Sequence, residues 1–113
     1  MLWQATEAGI KAAVPGAKTL DVFNTMNKII EEGGGLGNNV GRLGHGLGLQ
    51  LTEPPSHRPE EETVIKENMV LTIEPGMEYE KNKMLVHEEN IVIHKDGAEL
   101  ITKRAPREIP IIK

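Results

Sequence analysis

The sequence predicts one α+β domain, with helices in its first third and antiparallel strands in its second half. Apolar residues recur at helical spacing before Gly33, and runs rich in Val, Leu and Ile bounded by turn residues follow Asn68. A glycine-rich segment ends the helical part. Helices first and antiparallel strands afterwards are the pattern of an α+β fold.

Two helices are expected near the start of the chain. The first covers residues 2–13 and ends at Pro15-Gly16. Thr19 is the candidate N-cap of the second, which ends at Gly33-Gly34-Gly35, and Gly37-Asn38-Asn39 is expected to continue as a loop. The predicted buried stripe of the second helix consists of Leu20, Phe23, Met26, Ile29 and Ile30.

The second half of the chain carries the strand signals. Residues 69–73 and 84–93 are rich in branched aliphatic side chains and predict two strands. Lys81-Asn82-Lys83 is the hairpin turn expected before the second strand, and Asp96-Gly97 is the turn expected after it. Leu100-Ile101 is expected to add a short strand.

Composition limits the classes of function. The chain has 113 residues, enough for one small domain, and with 38% apolar and 3% aromatic residues its core must be aliphatic. The net charge of -4, with no basic stripe and no long apolar run, argues against nucleic-acid and membrane partners. Cysteine is absent, so any metal ligand must be His, Asp or Glu, and a cytoplasmic location is expected.

Three residues of metal-binding type follow one another in separate motifs. His45 lies in Gly44-His45-Gly46-Leu47-Gly48, Glu74 in Thr72-Ile73-Glu74-Pro75-Gly76, and Glu88 in Val86-His87-Glu88-Glu89. Glycines let the backbone approach a bound group, and an imidazole nitrogen binds a metal when its other nitrogen is held by a partner. Successive strand residues point to opposite faces, so Glu88 should share a face with Val86 and Asn90, and only one of Glu88 and Glu89 should face the site.

The same residues also have a purely structural interpretation. His45 would be a turn residue, Glu74 a carboxylate at the sheet rim, and Glu88-Glu89 a charged strand edge that discourages aggregation. Three ligands suit one metal poorly and two metals not at all. The spacing alone leaves both interpretations open.

The other histidines are not expected to be ligands. Pro54 to Glu62 is polar and proline-bearing and predicts an exposed loop, in which His57 is a solvated residue beside Arg58. His87 and His94 are interpreted as surface or rim residues.

Taken in order, these motifs resemble the pita-bread (M24-type) metallopeptidase family, which includes methionine aminopeptidase, aminopeptidase P and prolidase. The segment Gly9 to Gly16 and the helix after it also resemble the family. The intervals of 29 residues from His45 to Glu74 and 14 from Glu74 to Glu88 are similar to those of the prolidase, or Xaa-Pro dipeptidase, branch. The resemblance implies that residues 1–113 are the C-terminal portion of the catalytic domain, which is half of a pita-bread fold.

The family resemblance implies roles for these residues. His45 and Glu74 would be metal ligands, and Glu88 would bridge two ions, with Glu89 in its place if the strand register slips by one residue. The implied cofactors are two divalent ions of manganese, cobalt, zinc or iron, which activate a water for hydrolysis of a peptide bond, often beside proline. The implied substrate of the parent enzyme is a peptide.

The sequence departs from the family pattern at two points. The family has two further aspartate ligands upstream, whereas the aspartates here, Asp21 and Asp96, lie in a predicted helix and a turn. Thr52 stands where the family usually has a histidine that contacts the substrate, and its hydroxyl offers one hydrogen bond. The chain is therefore expected to be a truncated piece with an incomplete metal site and little or no peptidase activity of its own.

Partners and alternative functions follow from the same resemblance. A lone half would expose the surface that meets its twin, which implies either a missing N-terminal half or a homodimer. A non-catalytic pita-bread binding protein is one alternative, mildly favoured by Thr52. A creatinase-like C–N hydrolase without metal is another, disfavoured by the retained carboxylates, and an inert α+β fragment is the third.

Overall fold

The computed structural model describes residues 1–36 and 41–113, so the loop predicted at Gly37-Asn38-Asn39 lies outside the described residues. Two helices precede a set of short strands, which confirms the predicted order of elements. Neither described helix combines the length and the hydropathy needed to cross a lipid bilayer. The elements are α1 (Leu2–Ala12), α2 (Thr19–Glu32), β1 (His45–Gly46), β2 (Glu53–Ser56), β3 (Val70–Ile73), β4 (Gly76–Glu80), β5 (Lys83–Val86), β6 (Glu89–His94) and β7 (Gly97–Leu100).

The helices pack on an antiparallel sheet of strand order β2-β1-β3-β6-β7, and β4 pairs with β5 in a separate two-stranded sheet. The helices and the sheet share one aliphatic core, as predicted. Of the predicted stripe on α2, Leu20 and Ile29 are only half-buried. The core includes Val22, Phe23, Met26 and Ile30 from α2, and Leu71, Ile73, Ile91 and Ile93 from the sheet.

The contact between α1, α2 and β3 depends on Gly9. A Cβ atom at Gly9 would lie 2.6 Å from Sδ of Met26 and 2.9 Å from Cγ2 of Ile73. Both distances are too short for a real side-chain contact, so glycine allows the two helices and the strand to approach this closely.

The predicted N-cap of α2 is wrong by one residue. Thr19 is the first residue of the helix, and the backbone N–H of Lys18 before it donates to the Asp21 carboxylate at 3.0 Å. The Thr19 hydroxyl instead donates to the carbonyl of Glu61 at 3.1 Å. The Thr19 hydroxyl therefore binds a residue that is distant in the sequence, whereas the local pattern predicted that it would cap the helix.

The strand predicted over residues 84–93 is two strands that belong to different sheets. β5 ends at Val86 and β6 begins at Glu89, so the intervening break holds Glu88. Glu74 lies in the matching break between β3 and β4. The prediction failed because apolar residues occur on both sides of the break, and only the pairing partners show where one sheet ends.

The two breaks lie opposite each other. The last pair of the main sheet here is Ile73 with Glu89, and the first pair of the hairpin is Gly76 with Val86. Between these pairs the N–H of His87 donates to the carbonyl of Pro75 at 3.0 Å. Glu74 and Glu88, the two glutamates that resemble family ligands, therefore lie at the same junction between the two sheets.

The predicted turns are confirmed, whereas the exposed loop predicted over 54–62 is right only for residues 58–62, because residues 54–56 belong to β2 and His57 is buried. Turns join β4 to β5 and β6 to β7 at the expected places, and the final strand runs over Gly97–Leu100, earlier than the predicted Leu100-Ile101. Residues 53–56 form β2 at the edge of the sheet, with Pro55 buried. Prolines lower the sequence signal for a strand but are tolerated at a sheet edge.

Candidate metal centre

The position of His45 is set by a close approach of β1 to β3. The backbone N–H of His45 donates to the Thr72 hydroxyl at 3.0 Å. Gly44, before it, has φ +139°, and a Cβ there would lie 2.2 Å from the Thr72 carbonyl oxygen. A glycine is needed at this position for both reasons, which explains one of the two glycines that flank the histidine.

His45, Glu74 and Glu88 come together in one cluster. One ligand atom from each of the three side chains lies within 4.8 Å of the others, and no other such cluster occurs among residues 1–36 and 41–113. The histidine is buried, Glu74 is half-buried and Glu88 is exposed. Three residues separated widely in the sequence are thus neighbours at the break between the sheets.

The hydrogen bonding of His45 suits a bound cation. Its Nδ1 lies 2.8 Å from the carbonyl oxygen of Gly46, so Nδ1 must carry a proton and donate it. In the neutral ring this leaves the lone pair of Nε2, which lies 3.3 Å from Oε2 of Glu74. Two acceptors at that distance repel each other unless a proton or a metal ion lies between them. One imidazole and two carboxylates are a donor set that fits a divalent ion.

These three side chains line one cavity, which has a volume of about 600 Å³. Val86, Glu88 and Asn90 line it together, which confirms the predicted common face. The volume lies in the range of small-ligand sites. Its other lining side chains include the cation Arg42, the hydroxyl of Thr52 and the apolar groups of Leu47, Leu51 and Met84.

Two of these lining residues, Arg42 and Met84, were not singled out by the sequence analysis. Arg42 precedes His45 by three residues, so its nearness to the motif was the available signal. Met84 belongs to β5, and it lines the cavity only because the β4–β5 hairpin meets the main sheet there.

Glu89 does not line this cavity and is 2% exposed. Its carboxylate accepts hydrogen bonds from the N–H of Ala105 at 2.8 Å, from the Thr102 hydroxyl and from the Arg104 guanidinium at 3.4 Å. Burial alone would raise the pKa of the Glu89 carboxyl, but these donors outweigh burial and hold that pKa below its usual value. The side chain proposed as the substitute for Glu88 is thus a buried anion with partners of its own.

His57 is not the solvated residue that the sequence predicted. Its side chain is completely buried, and neither ring nitrogen has a hydrogen-bond partner within the described residues. Burial is the largest cause of a pKa of about 4 for His57, the nearby His45 contributes in the same direction, and the backbone of Thr72 and Thr19 partly opposes the shift. His57 is therefore a neutral core residue.

The remaining predicted residues lie outside the ligand cluster. His94 is exposed and pairs with Glu99, whereas the His87 side chain is 15% exposed, with Nε2 3.4 Å from Oε1 of Glu89. The Asp21 carboxylate accepts the hydrogen bond that caps α2, and Asp96 lies in the turn after β6.

Known proteins are similar to this chain in both sequence and fold. The model of metallopeptidase family M24 matches residues 1–95. The Xaa-Pro dipeptidase of Pyrococcus furiosus is 36% identical over 100 residues, which are 88% of this chain and 29% of that protein. The Pyrococcus furiosus prolidase structure matches with a TM-score of 0.85 at 34% identity and covers 93% of this chain and 31% of its own.

A more distant likeness concerns the fold alone. Methionine aminopeptidase from Rickettsia prowazekii matches with a TM-score of 0.74 at 23% identity, over 88% of this chain and 48% of that chain. Two helices on an antiparallel sheet, equal to about half of this smaller enzyme, are the predicted half of a pita-bread fold.

The extent of the match has two consequences. The chain spans about 30% of the length of the Xaa-Pro dipeptidases that it matches, so it corresponds to a part of them. The family match runs over residues 1–95 and includes the whole His45, Glu74 and Glu88 cluster. The chain therefore belongs to metallopeptidase family M24.

Proposed function

We propose that this chain forms one side of the divalent-metal site of an Xaa-Pro peptidase, with His45, Glu74 and Glu88 as ligands. The observation that carries the proposal is the convergence of three ligand atoms, with His45 Nε2 3.3 Å from a carboxylate oxygen of Glu74 and Glu88 beside them. A proton or a divalent ion must lie between Nε2 and that oxygen, and one imidazole with two carboxylates is a donor set that fits the ion. The relatives that share this part of the chain are named Xaa-Pro dipeptidases.

The residues around the cluster have separate roles in this proposal. The Gly46 carbonyl holds the His45 ring through Nδ1, and the Thr52 hydroxyl donates one hydrogen bond to the peptide substrate. The apolar side chains of Leu51 and Met84 contact the hydrophobic part of that substrate. A divalent ion, when bound, supplies a water of lowered pKa and polarises the scissile carbonyl.

The ligand variant that tests this proposal is Glu88→Gln, which keeps the size of the side chain and removes its charge. Titration with Mn²⁺, followed by calorimetry, should show binding to the unaltered chain and a loss of about tenfold or more in affinity for the variant. Glu99→Gln is the matched control, because Glu99 is an exposed glutamate outside the cluster. Equal affinities for Glu88→Gln and the unaltered chain would remove Glu88 from the ligand set.

We further propose that the 113-residue chain alone has little or no peptidase activity. Three ligands do not hold two ions, and the described aspartates lie elsewhere. Thr52 cannot act as the cation that a histidine provides, and the loss of one oxyanion donor typically lowers the rate by about 100- to 1,000-fold. Hydrolysis of an Xaa-Pro dipeptide should therefore stay at background with and without Mn²⁺. Metal-dependent turnover by the purified chain would contradict this expectation.

Assembly offers one route to a complete site, and a homodimer remains a prediction. The apolar side chains of Leu51, Met84 and Val86 line the cavity and are exposed, and Leu49 is exposed as well. Contact with a second copy or with an N-terminal half would cover this surface. Sedimentation equilibrium over a range of concentrations decides between the two, since a persistent monomer would leave only the missing half.

A binding protein without catalysis is the second candidate function, and Thr52 is the observation that favours it. Thr52 lines a cavity together with the positively charged side chain of Arg42 and several apolar side chains. This combination of a hydroxyl, a cationic group and apolar groups suits a short peptide. Binding of an Xaa-Pro dipeptide by the chain in the presence of EDTA would support this candidate, whereas binding that requires Mn²⁺ would support the peptidase site.

A further inference from the structure

The buried carboxylate of Glu89 is held by a segment that follows the last strand. Thr102, Arg104 and Ala105 all donate hydrogen bonds to it, from positions 13 to 16 residues further along the chain. This segment lies beyond residues 1–95, the part that matches the family model. Its function is therefore not implied by that match.

Arg104 also ties the segment to α1. Its Nε donates to Oε1 of Glu7 at 2.9 Å, and its Nη2 donates to the carbonyl of Trp3 at 3.1 Å. The guanidinium carbon lies 4.5 Å from the centroid of the Trp3 ring, and Trp3 Nε1 donates to the Ala105 carbonyl at 3.0 Å. One arginine thus joins the first helix, the last segment and the buried glutamate.

The buried anion next to Glu88 makes this arrangement relevant to the metal centre. Glu89 is the first residue of β6, directly after the break in which Glu88 lies. Because the two residues share a planar peptide bond, holding Glu89 in place also restrains the backbone from which the Glu88 side chain extends. A buried carboxylate that loses its cationic partner is strongly destabilised and would turn toward water, which would reorient the break.

We propose that Glu89, held by Arg104, is a positioning residue that orients Glu88 toward His45 and Glu74. This inference rests on the proposed function in so far as the three residues bind a metal. Groups outside the first ligand shell commonly change metal affinity by about 10- to 100-fold when they are removed.

The test compares two substitutions that break different arms of the same arginine contact. Arg104→Gln removes the cationic partner of Glu89 together with the ion pair to Glu7, whereas Glu7→Gln removes only the ion pair to α1. Arg104→Gln should weaken Mn²⁺ binding about tenfold or more, and Glu7→Gln should leave it within about a factor of two. Simple electrostatics gives the opposite sign for Arg104→Gln, because removing a nearby cation favours a bound divalent ion.

A second measurement does not depend on metal. The order parameter of the Glu88 amide, from ¹⁵N relaxation of the metal-free chain, should fall in Arg104→Gln and stay unchanged in Glu7→Gln. If the unaltered chain binds no Mn²⁺, the proposed function fails and this measurement alone decides the positioning role.

A milder variant covers the case in which Arg104→Gln does not fold. Thr102→Val leaves the charge pair intact and removes one donor to Glu89, together with the acceptor of the Asn90 N–H. It should lower both the Mn²⁺ affinity and the Glu88 order parameter. Reduced thermal stability in Arg104→Gln or Thr102→Val, with Mn²⁺ affinity and the Glu88 order parameter unchanged, would overturn the inference and leave a purely structural contact.

Discussion

His57 is a neutral imidazole enclosed next to the strand that carries His45. Its backbone N–H donates to the Gly44 carbonyl at 3.0 Å, while neither ring nitrogen has a partner among the described residues. A charged ring would be costly in this position, and burial accordingly lowers its pKa to about 4. The residue therefore links the stability of this part of the sheet to pH.

The pH dependence of folding tests this account of His57. The side chain has a pKa of 6.5 when unfolded and about 4 when folded, so between these values the unfolded chain binds more protons. The free energy of unfolding should then fall as the pH drops from 6.5 to 4, by about 3 kcal/mol in all from this residue. Below pH 4 the contribution of His57 should stay constant.

Substitution of His57 by leucine should remove this contribution. Urea denaturation at several pH values should show a smaller loss of stability for His57→Leu than for the unaltered chain between pH 6.5 and 4. At pH 7 the two should be similar, because an apolar group of comparable shape replaces a polar group without partners. His94→Gln is the control, since His94 is half exposed. Parallel pH profiles for the unaltered chain and His57→Leu would contradict this account, because they would show that folding does not lower the pKa of His57.

At the scale of elements, the contact of α1 with α2 and β3 has one critical position. Gly9→Ala should destabilise the fold by about 1–3 kcal/mol, because the added methyl group meets Met26 and Ile73. Helix propensity alone gives the opposite sign, since alanine is favoured over glycine by about 1 kcal/mol. Thermal or urea unfolding of the variant measures the balance of these two effects.

A control from the same helix isolates the packing effect. Lys11→Ala changes an exposed side chain of α1 and should alter stability by no more than about 0.5 kcal/mol. A gain in stability for Gly9→Ala would show that α1 can move away from α2 without cost.

The sequence predicted the elements with strong local signals. Both helices end within a residue or two of the expected positions because their apolar spacing, the Pro15-Gly16 pair and the glycine run act locally. The hairpin turns at residues 81–82 and 95–96 were predictable for the same reason. The common face of Val86, Glu88 and Asn90 also followed from simple alternation, even though their strand is broken.

The features that the sequence did not predict depend on distant partners. The break at Glu88 is set by the opposite break at Glu74, and the burial of His57 is set by the pairing of β2 with β1. The contact of Arg104 with Glu7 joins residues 97 positions apart, for which spacing gives no signal. Such contacts belong to the tertiary structure, which overrides local preferences.

At the scale of the whole molecule, the chain corresponds to a part of the longer proteins that it matches. It keeps its own aliphatic core and brings three residues of metal-binding type to one cavity, yet it spans about 30% of the Xaa-Pro dipeptidases that it matches. We expect such a part to bind a metal ion weakly and to leave the apolar side chains of Leu51, Met84 and Val86 exposed. The central claim is that the chain provides one side of a metal site.

The most direct test is the number of divalent ions that the chain binds. Calorimetric titration of the purified chain with Mn²⁺ or Zn²⁺ should give one weakly bound ion per chain. His45→Gln should abolish this binding, and His94→Gln should leave it unchanged, because only His45 belongs to the ligand cluster. Two tightly bound ions on a monomer, or equal binding by His45→Gln, would contradict the claim.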